Sequence, residues 1–132
     1  MSALKLVSSL WSLSFAIVLL LPGLSPGTET ISPVHEEEFR EAARAIGAAR
    51  AAQAEQFAPE PFQQAQELLA TAENARGAND GVKFSQASRL SRAYAELART
   101  IAQLKAEEGK LAAAKEELRK ARAELEAAKR SP

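Results

Sequence analysis

The amino-acid sequence predicts an all-α protein: an antiparallel three-helix arrangement with a long, coiled-coil-like C-terminal helix, preceded by a signal peptide. Three observations carry this. Six leucines recur every seven residues, Leu90, Leu97, Leu104, Leu111, Leu118 and Leu125, with no proline among them; a repeat of seven keeps one stripe on one helix face. Alanine, leucine, glutamate, lysine, arginine and glutamine dominate after residue 35, the composition of long helices. Two breaks, Ala58-Pro59-Glu60-Pro61 and Gly77-Ala78-Asn79-Asp80-Gly81, divide the remainder into three segments.

Residues 1–27 read as an export signal. Lys5 precedes an apolar run from Leu10 to Leu21, broken only by Ser12 and Ser14, and Pro22-Gly23 ends it. Cleavage after Gly27 fits small residues at Ser25 and Gly27. The alternative is an uncleaved anchor, because Leu6 to Leu24 is just long enough to span a bilayer. Lys5 before the segment and Glu29, Glu36, Glu37 and Glu38 after it suit an exported C-terminal part under either reading.

Residues 28–132 are expected to form one alanine-rich helical domain. Ser32-Pro33 is an N-cap followed by proline at the first helical position. The first helix is expected from about 33 to 57, with Phe39, Ala42, Ala43, Ile46, Ala49 and Phe57 inward. The Ala-Pro break ends it, because proline disfavours helical geometry in the residue before it. The second helix is expected over about 59–76, with Phe62, Ala65, Leu69 and Ala72 inward and Gly77 as its C-cap glycine. Asn79 or Asp80 caps a third helix over about 82–129.

At 1.5 Å per residue these helices are ~37, ~27 and ~70 Å long. The first two therefore reach only half of the third. In that half the leucines alternate with Ala87, Tyr94 and Ile101, an apolar seam expected to form the core with Leu90, Leu97 and Leu104. Further on, the same positions hold Glu108, Lys115, Arg122 and Lys129, and the apolar neighbours become Ala114, Ala121 and Ala128. The stripe Leu111, Ala114, Leu118, Ala121 and Leu125 is the candidate for meeting another molecule.

Charge divides between the same parts. Residues 28–81 hold ten acidic and four basic residues, net −6, and residues 82–132 hold seven and twelve, net +5. An acidic hairpin lying on a basic helix is the simplest use of this asymmetry. Arg89, Arg92, Arg99, Lys105, Lys110, Arg119 and Lys120 also form a candidate basic surface for an anionic lipid or glycan of the envelope.

The sequence offers no catalytic, cofactor or metal constellation. It has no Cys and one His, His35, read as a solvated cap beside three glutamates. Glu107-Glu108 and Glu116-Glu117 stand beside lysines on a polar face, and Asn79-Asp80-Gly81 lacks the remaining ligands of a calcium loop. Nucleic-acid binding is not expected without interleaved aromatics.

From Ala42 onward the pattern resembles the bacterial family called domain of unknown function 4398. The residues that carry it are Ala42 to Ala54, Ala58-Pro59-Glu60, Phe62 to Ala75, Gly77 to Asp80, and Ala87 through Ala102. The resemblance implies a small exported helical unit of a Gram-negative cell envelope. Many relatives are lipoproteins or carry a peptidoglycan-binding domain of the OmpA type. The sequence has no Cys for lipid attachment and no such domain is expected after residue 132, so neither property is carried over. The expectation is a non-enzymatic periplasmic or secreted helical protein that self-associates or docks an envelope protein. Holdase or anionic-polymer binding is one alternative. The other is an inner-membrane-anchored spacer, the only case that touches membrane.

Overall fold

The computed structural model describes residues 29–132; the expected signal peptide, its cleavage site and the alternative anchor lie outside them. Four helices follow in order: α1 (Pro33–Ala51), α2 (Ala54–Phe57), α3 (Pro59–Gly77) and α4 (Gly81–Arg130). No strand is present among the described residues.

Ser32 and Pro33 start α1 as their chemistry dictates. The His35 amide donates to Ser32 Oγ at 3.4 Å, and the Ser32 amide donates to His35 Nδ1 at 3.3 Å. The imidazole thus fills the role usually taken by glutamate in a capping box. It is buried, not solvated as expected.

The expected first helix over 33–57 is interrupted. Gln53 adopts a left-handed conformation, φ 62°, and its amide donates to the Arg50 carbonyl at 2.9 Å. This closes α1, and α2 adds a single turn. The turn buries Ala54 and brings Phe57 and Ala58 onto the body before Pro59 begins α3.

Gly77 is the last helical residue of α3, not its cap. Asn79 takes the left-handed position, φ 54°, with Asn79 N–H to Arg76 O at 3.0 Å and Asp80 N–H to Ala75 O at 2.9 Å. That pair of bonds is a Schellman motif, and asparagine tolerates its geometry better than most residues. Asp80 then caps α4, accepting from Lys83 N–H at 3.0 Å. Gly81 permits a close approach, since a Cβ there would lie 2.3 Å from the Glu29 carbonyl that its amide already binds.

The long helix is the floor on which α1 and α3 lie. Along α1, Glu38 meets Ser85 and Arg89, and Glu41 meets Arg92, so these contacts advance in the same direction on both helices. Along α3 the sense is opposite: Ala65 meets Ser91, while the later Ala72 and Ala75 pack with the earlier Phe84 and Ala87. The expected acidic-on-basic pairing is thus present between α1 and α4. Arg76 of α3 also meets Glu36 of α1 at 2.9 Å.

The core is built from small residues. Ile46, Ala49, Ala54, Ala58, Phe62 and Ala65 pack on Ala95, Ala98 and Ala102. Nearer the start of α4, Ala72 and Ala75 meet Phe84 and Ala87, with Ile31 and Phe39 against them. The rings of Phe39 and Phe84 lie 5.4 Å apart, tilted by 33°. Ser88 and Ser91 are also buried. Their hydroxyls donate to the Phe84 and Ala65 carbonyls, both at 2.7 Å. No buried side-chain polar atom among the described residues lacks a partner.

This corrects the expected core. Leu90, Leu97 and Leu104 are about half exposed, Tyr94 is 38% exposed, and Ile101 is only partly buried. The inward seam runs instead through Phe84, Ser88, Ser91, Ala95, Ala98 and Ala102, spaced four and three residues apart like any heptad. Two helices lie on this face, and small side chains let their backbones come close. Ser91 reaching a carbonyl of α3 is the direct sign of that approach. On α1, Ala43 also points outward.

Two outcomes follow. Ala98→Leu puts three extra carbons into a fully closed seam and should cost about 1–3 kcal/mol of unfolding free energy. Leu97→Ala, on the outer face, should cost about 1 kcal/mol or less. Urea titrations followed by circular dichroism would reverse that order if the leucines were the core. The second outcome concerns Glu38. Partial burial pushes its carboxyl pKa upward, but hydrogen bonds from Ser85 and Arg89 outweigh this and hold it below the usual value. A depressed folded pKa gives stability that is present above the unfolded pKa, near 4.5, and lost as pH falls through the folded value. Glu38→Gln should therefore lower stability at pH 7 and flatten the acid limb below about pH 4.5 in thermal melts.

Candidate interaction face

A helix has two ways to satisfy a heptad of leucines: bury it in its own domain or present it to another. In α4 none of the six leucines is buried in the domain, and each is between 49% and 59% exposed. They cannot face inward, because the small-residue seam already does. Two stripes of the same seven-residue period run along one helix, separated by more than a right angle around its axis.

The face changes along its length. From Leu90 to Leu104 it borders α3. There Tyr94, Leu97 and Ile101, with Glu60, Pro61 and Gln64, line a shallow groove of about 290 Å³. A second groove of about 280 Å³ continues past Ile101 to Phe57, Ala58 and Lys105. The Lys105 ammonium donates to the Phe57 carbonyl at 2.6 Å and marks the end of the body. From residue 103 on, every residue is exposed. Residues 106–130 therefore project as a single helix for ~37 Å.

The expected stripe lies on this projection: Leu111, Ala114, Leu118, Ala121 and Leu125 are all exposed on one side. The structure extends that stripe back to Leu90, Leu97 and Leu104. The signal that could have revealed this was the competing heptad of Ser88, Ser91, Ala95, Ala98 and Ala102, which size alone makes easy to overlook.

The candidate basic surface is not one surface. Arg89 pairs with Glu38 at 2.6 Å, and Arg92 is shared between Glu41 and Glu96. Lys110 pairs with Glu107 at 2.8 Å. Arg119 and Lys120 both reach Glu116, at 2.8 and 4.0 Å. The two Arg119 hydrogen bonds hold the Glu116 carboxyl below its usual pKa. Lys105 is engaged by a backbone carbonyl. Arg99 has no ion pair among the described residues. It lines a polar cleft of about 310 Å³ between α1 and α4 with Arg44, Arg92, Glu41 and Glu96, where cations and carboxylates are mixed.

On the projection, most charges beside the leucine stripe are unpaired, although Lys110 and Lys129 on the same flanks are held by Glu107 and Glu126. Glu108, Lys115, Glu117, Arg122 and Glu124 make no ion pair within 4 Å among the described residues. The paired residues, Glu107, Lys110, Glu116, Arg119, Lys120, Glu126 and Lys129, include most of the outward side.

Among the described residues no group of His, Asp or Glu is arranged to hold a metal ion. No described helix is long and apolar enough to cross a membrane. No curated protein and no solved structure matches the chain. The family model described as a domain of unknown function, DUF4398, matches residues 37–114, from the second turn of α1 to Ala114 on the projecting helix, and the chain belongs to that family.

Proposed function

We propose that this protein is a non-enzymatic helical module of the bacterial cell envelope, periplasmic or secreted, that makes protein–protein contacts through the outer leucine face of α4. One observation carries the reading: six half-exposed leucines lie in a single stripe that outruns the body by three heptads. Monomeric proteins seldom expose so much contiguous apolar surface, and such patches mark interaction sites. A lone helix in water is also marginal, so residues 106–130 gain most from a partner. The export signal read in residues 1–27 supports the envelope location.

Binding of an anionic envelope polymer is the weaker reading. Five of the seven basic residues proposed for it already face carboxylates. Exposed pairs of this kind are individually worth about 0–1 kcal/mol, but they leave no concentrated positive patch.

Light scattering on residues 28–132 tests the main reading. The expected result is a mass above the monomer. Leu111→Asp combined with Leu118→Asp should return the mass to one chain and lower helicity in the projection, while the body melts as before. A strict monomer, with mass and helicity indifferent to these substitutions, would count against the proposal.

A further inference from the structure

Resting on that reading, we infer that the partner is a second copy of this chain, bound antiparallel along residues 104–128 so that Leu111 faces Ala121 of the partner subunit. Packing sets the direction of the pair, and charge sets its register.

From Leu111 to Ala128 the outer stripe alternates leucine and alanine at spacings of three and four. Two such stripes can meet in parallel or antiparallel. In parallel, leucine stacks on leucine and alanine on alanine; the helix separation set by the leucine layers leaves the alanine layers unfilled, and unfilled layers are destabilising. In antiparallel pairing each leucine of one helix sits against an alanine of the other. Every layer is then alike, and the backbones stay evenly spaced.

Charge then selects the register. An antiparallel pair brings like flanks together: the residues four after each leucine meet one another, and those one before each leucine meet one another. One register sets Leu118 against the partner's Ala121. It faces Lys115 with the partner's Arg122 and Glu117 with the partner's Glu124, each twice by symmetry, so four like-charge meetings outweigh the two attractions of Glu108 with the partner's Lys129. Shifting by one heptad sets Leu111 against the partner's Ala121 and Ala114 against the partner's Leu118. Glu108 then faces the partner's Arg122, and Lys110 faces the partner's Glu124, each twice. The cost is one like-charge meeting at the symmetry axis on each flank, Lys115 with its own copy and Glu117 with its own copy.

The shifted register also adds Leu104, against the partner's Ala128. It sets Leu125 against the partner's Glu107, where the glutamate's aliphatic stem can lie along it. Glu108 and Arg122, unpaired within one chain, become each other's partners. The interface is self-complementary, as a two-fold dimer requires. It spans ~37 Å and leaves the two bodies at opposite ends.

Charge reversal tests this on residues 28–132 by sedimentation equilibrium. Wild type should be a dimer. Arg122→Glu should weaken dimerisation about tenfold, because two attractions become repulsions. Adding Glu108→Arg in the same chain should restore wild-type affinity, since those two positions face each other only in this arrangement. The chain has no Cys, so a single spin label at Arg130→Cys gives a second reading. Antiparallel pairing places the labels ~42 Å apart along the axis, and parallel pairing places them side by side. A dimer without rescue, or with adjacent labels, overturns the arrangement and leaves the interaction module intact. A wild-type monomer overturns the self-pairing, and it overturns the interaction module too only if helicity is also indifferent to Leu111→Asp combined with Leu118→Asp.

Discussion

Everything in this molecule depends on how closely α1 and α3 approach α4. The approach is set by Ser88, Ser91, Ala95, Ala98 and Ala102, none of which extends far past Cβ. Such a face buries little area per residue, so its hydrophobic contribution is modest. It compensates through close contact and through serine hydroxyls that bond to carbonyls in the seam. The larger side chains, Ile46, Phe62, Phe39 and Phe84, come mostly from outside this stretch and fill its edges. Because Phe84 is the only large residue of α4 fully buried among the described residues, the leucines are left on the outer face.

This division explains where sequence reasoning succeeded and where it failed. The caps were readable because their chemistry is local: Ser32-Pro33 and Asp80 satisfy amides a few residues away. The acidic-on-basic pairing was readable because charge sums survive ignorance of geometry, and Glu38 with Arg89 realises it. The inward face of α4 was not. Leucine and alanine stripes share one period, and periodicity cannot say which faces the domain. Choosing the larger residues follows the usual rule for cores. That rule fails where two helices must come close to a third.

The break at Gln53 is a different failure. Nothing in Ala51-Ala52-Gln53-Ala54 announces a left-handed residue, which glycine or asparagine would normally supply. The strain is imposed from outside. Ala54 and Phe57 must reach the cluster around Ala98 and Ala102, and a straight α1 would carry them past it. Tertiary packing overrides local preference there. At Asn79, by contrast, the residue type suits the conformation, and only the exact position of the cap was displaced from Gly77.

The body also decides how readily the projecting helix forms. Nucleating a helix in water is unfavourable, and each later residue adds on far more easily. By fixing α4 from Gly81 to Lys105, the body supplies the nucleus, and residues 106–130 need only propagate from it. Ion pairs three and four residues apart, such as Glu116 with Arg119 and Lys120, support that propagation by a few tenths of a kcal/mol each. Gly109 opposes it by roughly 1 kcal/mol, one turn beyond the last body contact. The tail is thus ordered enough to hold its leucines in one stripe, yet weak at its root. A partner meeting that stripe avoids the cost of nucleation and gains the burial of the leucines. It also converts a marginal helix into a stable one. The small-residue seam and the leucine stripe are therefore two halves of one arrangement, in which close packing on one face of α4 makes the other face available.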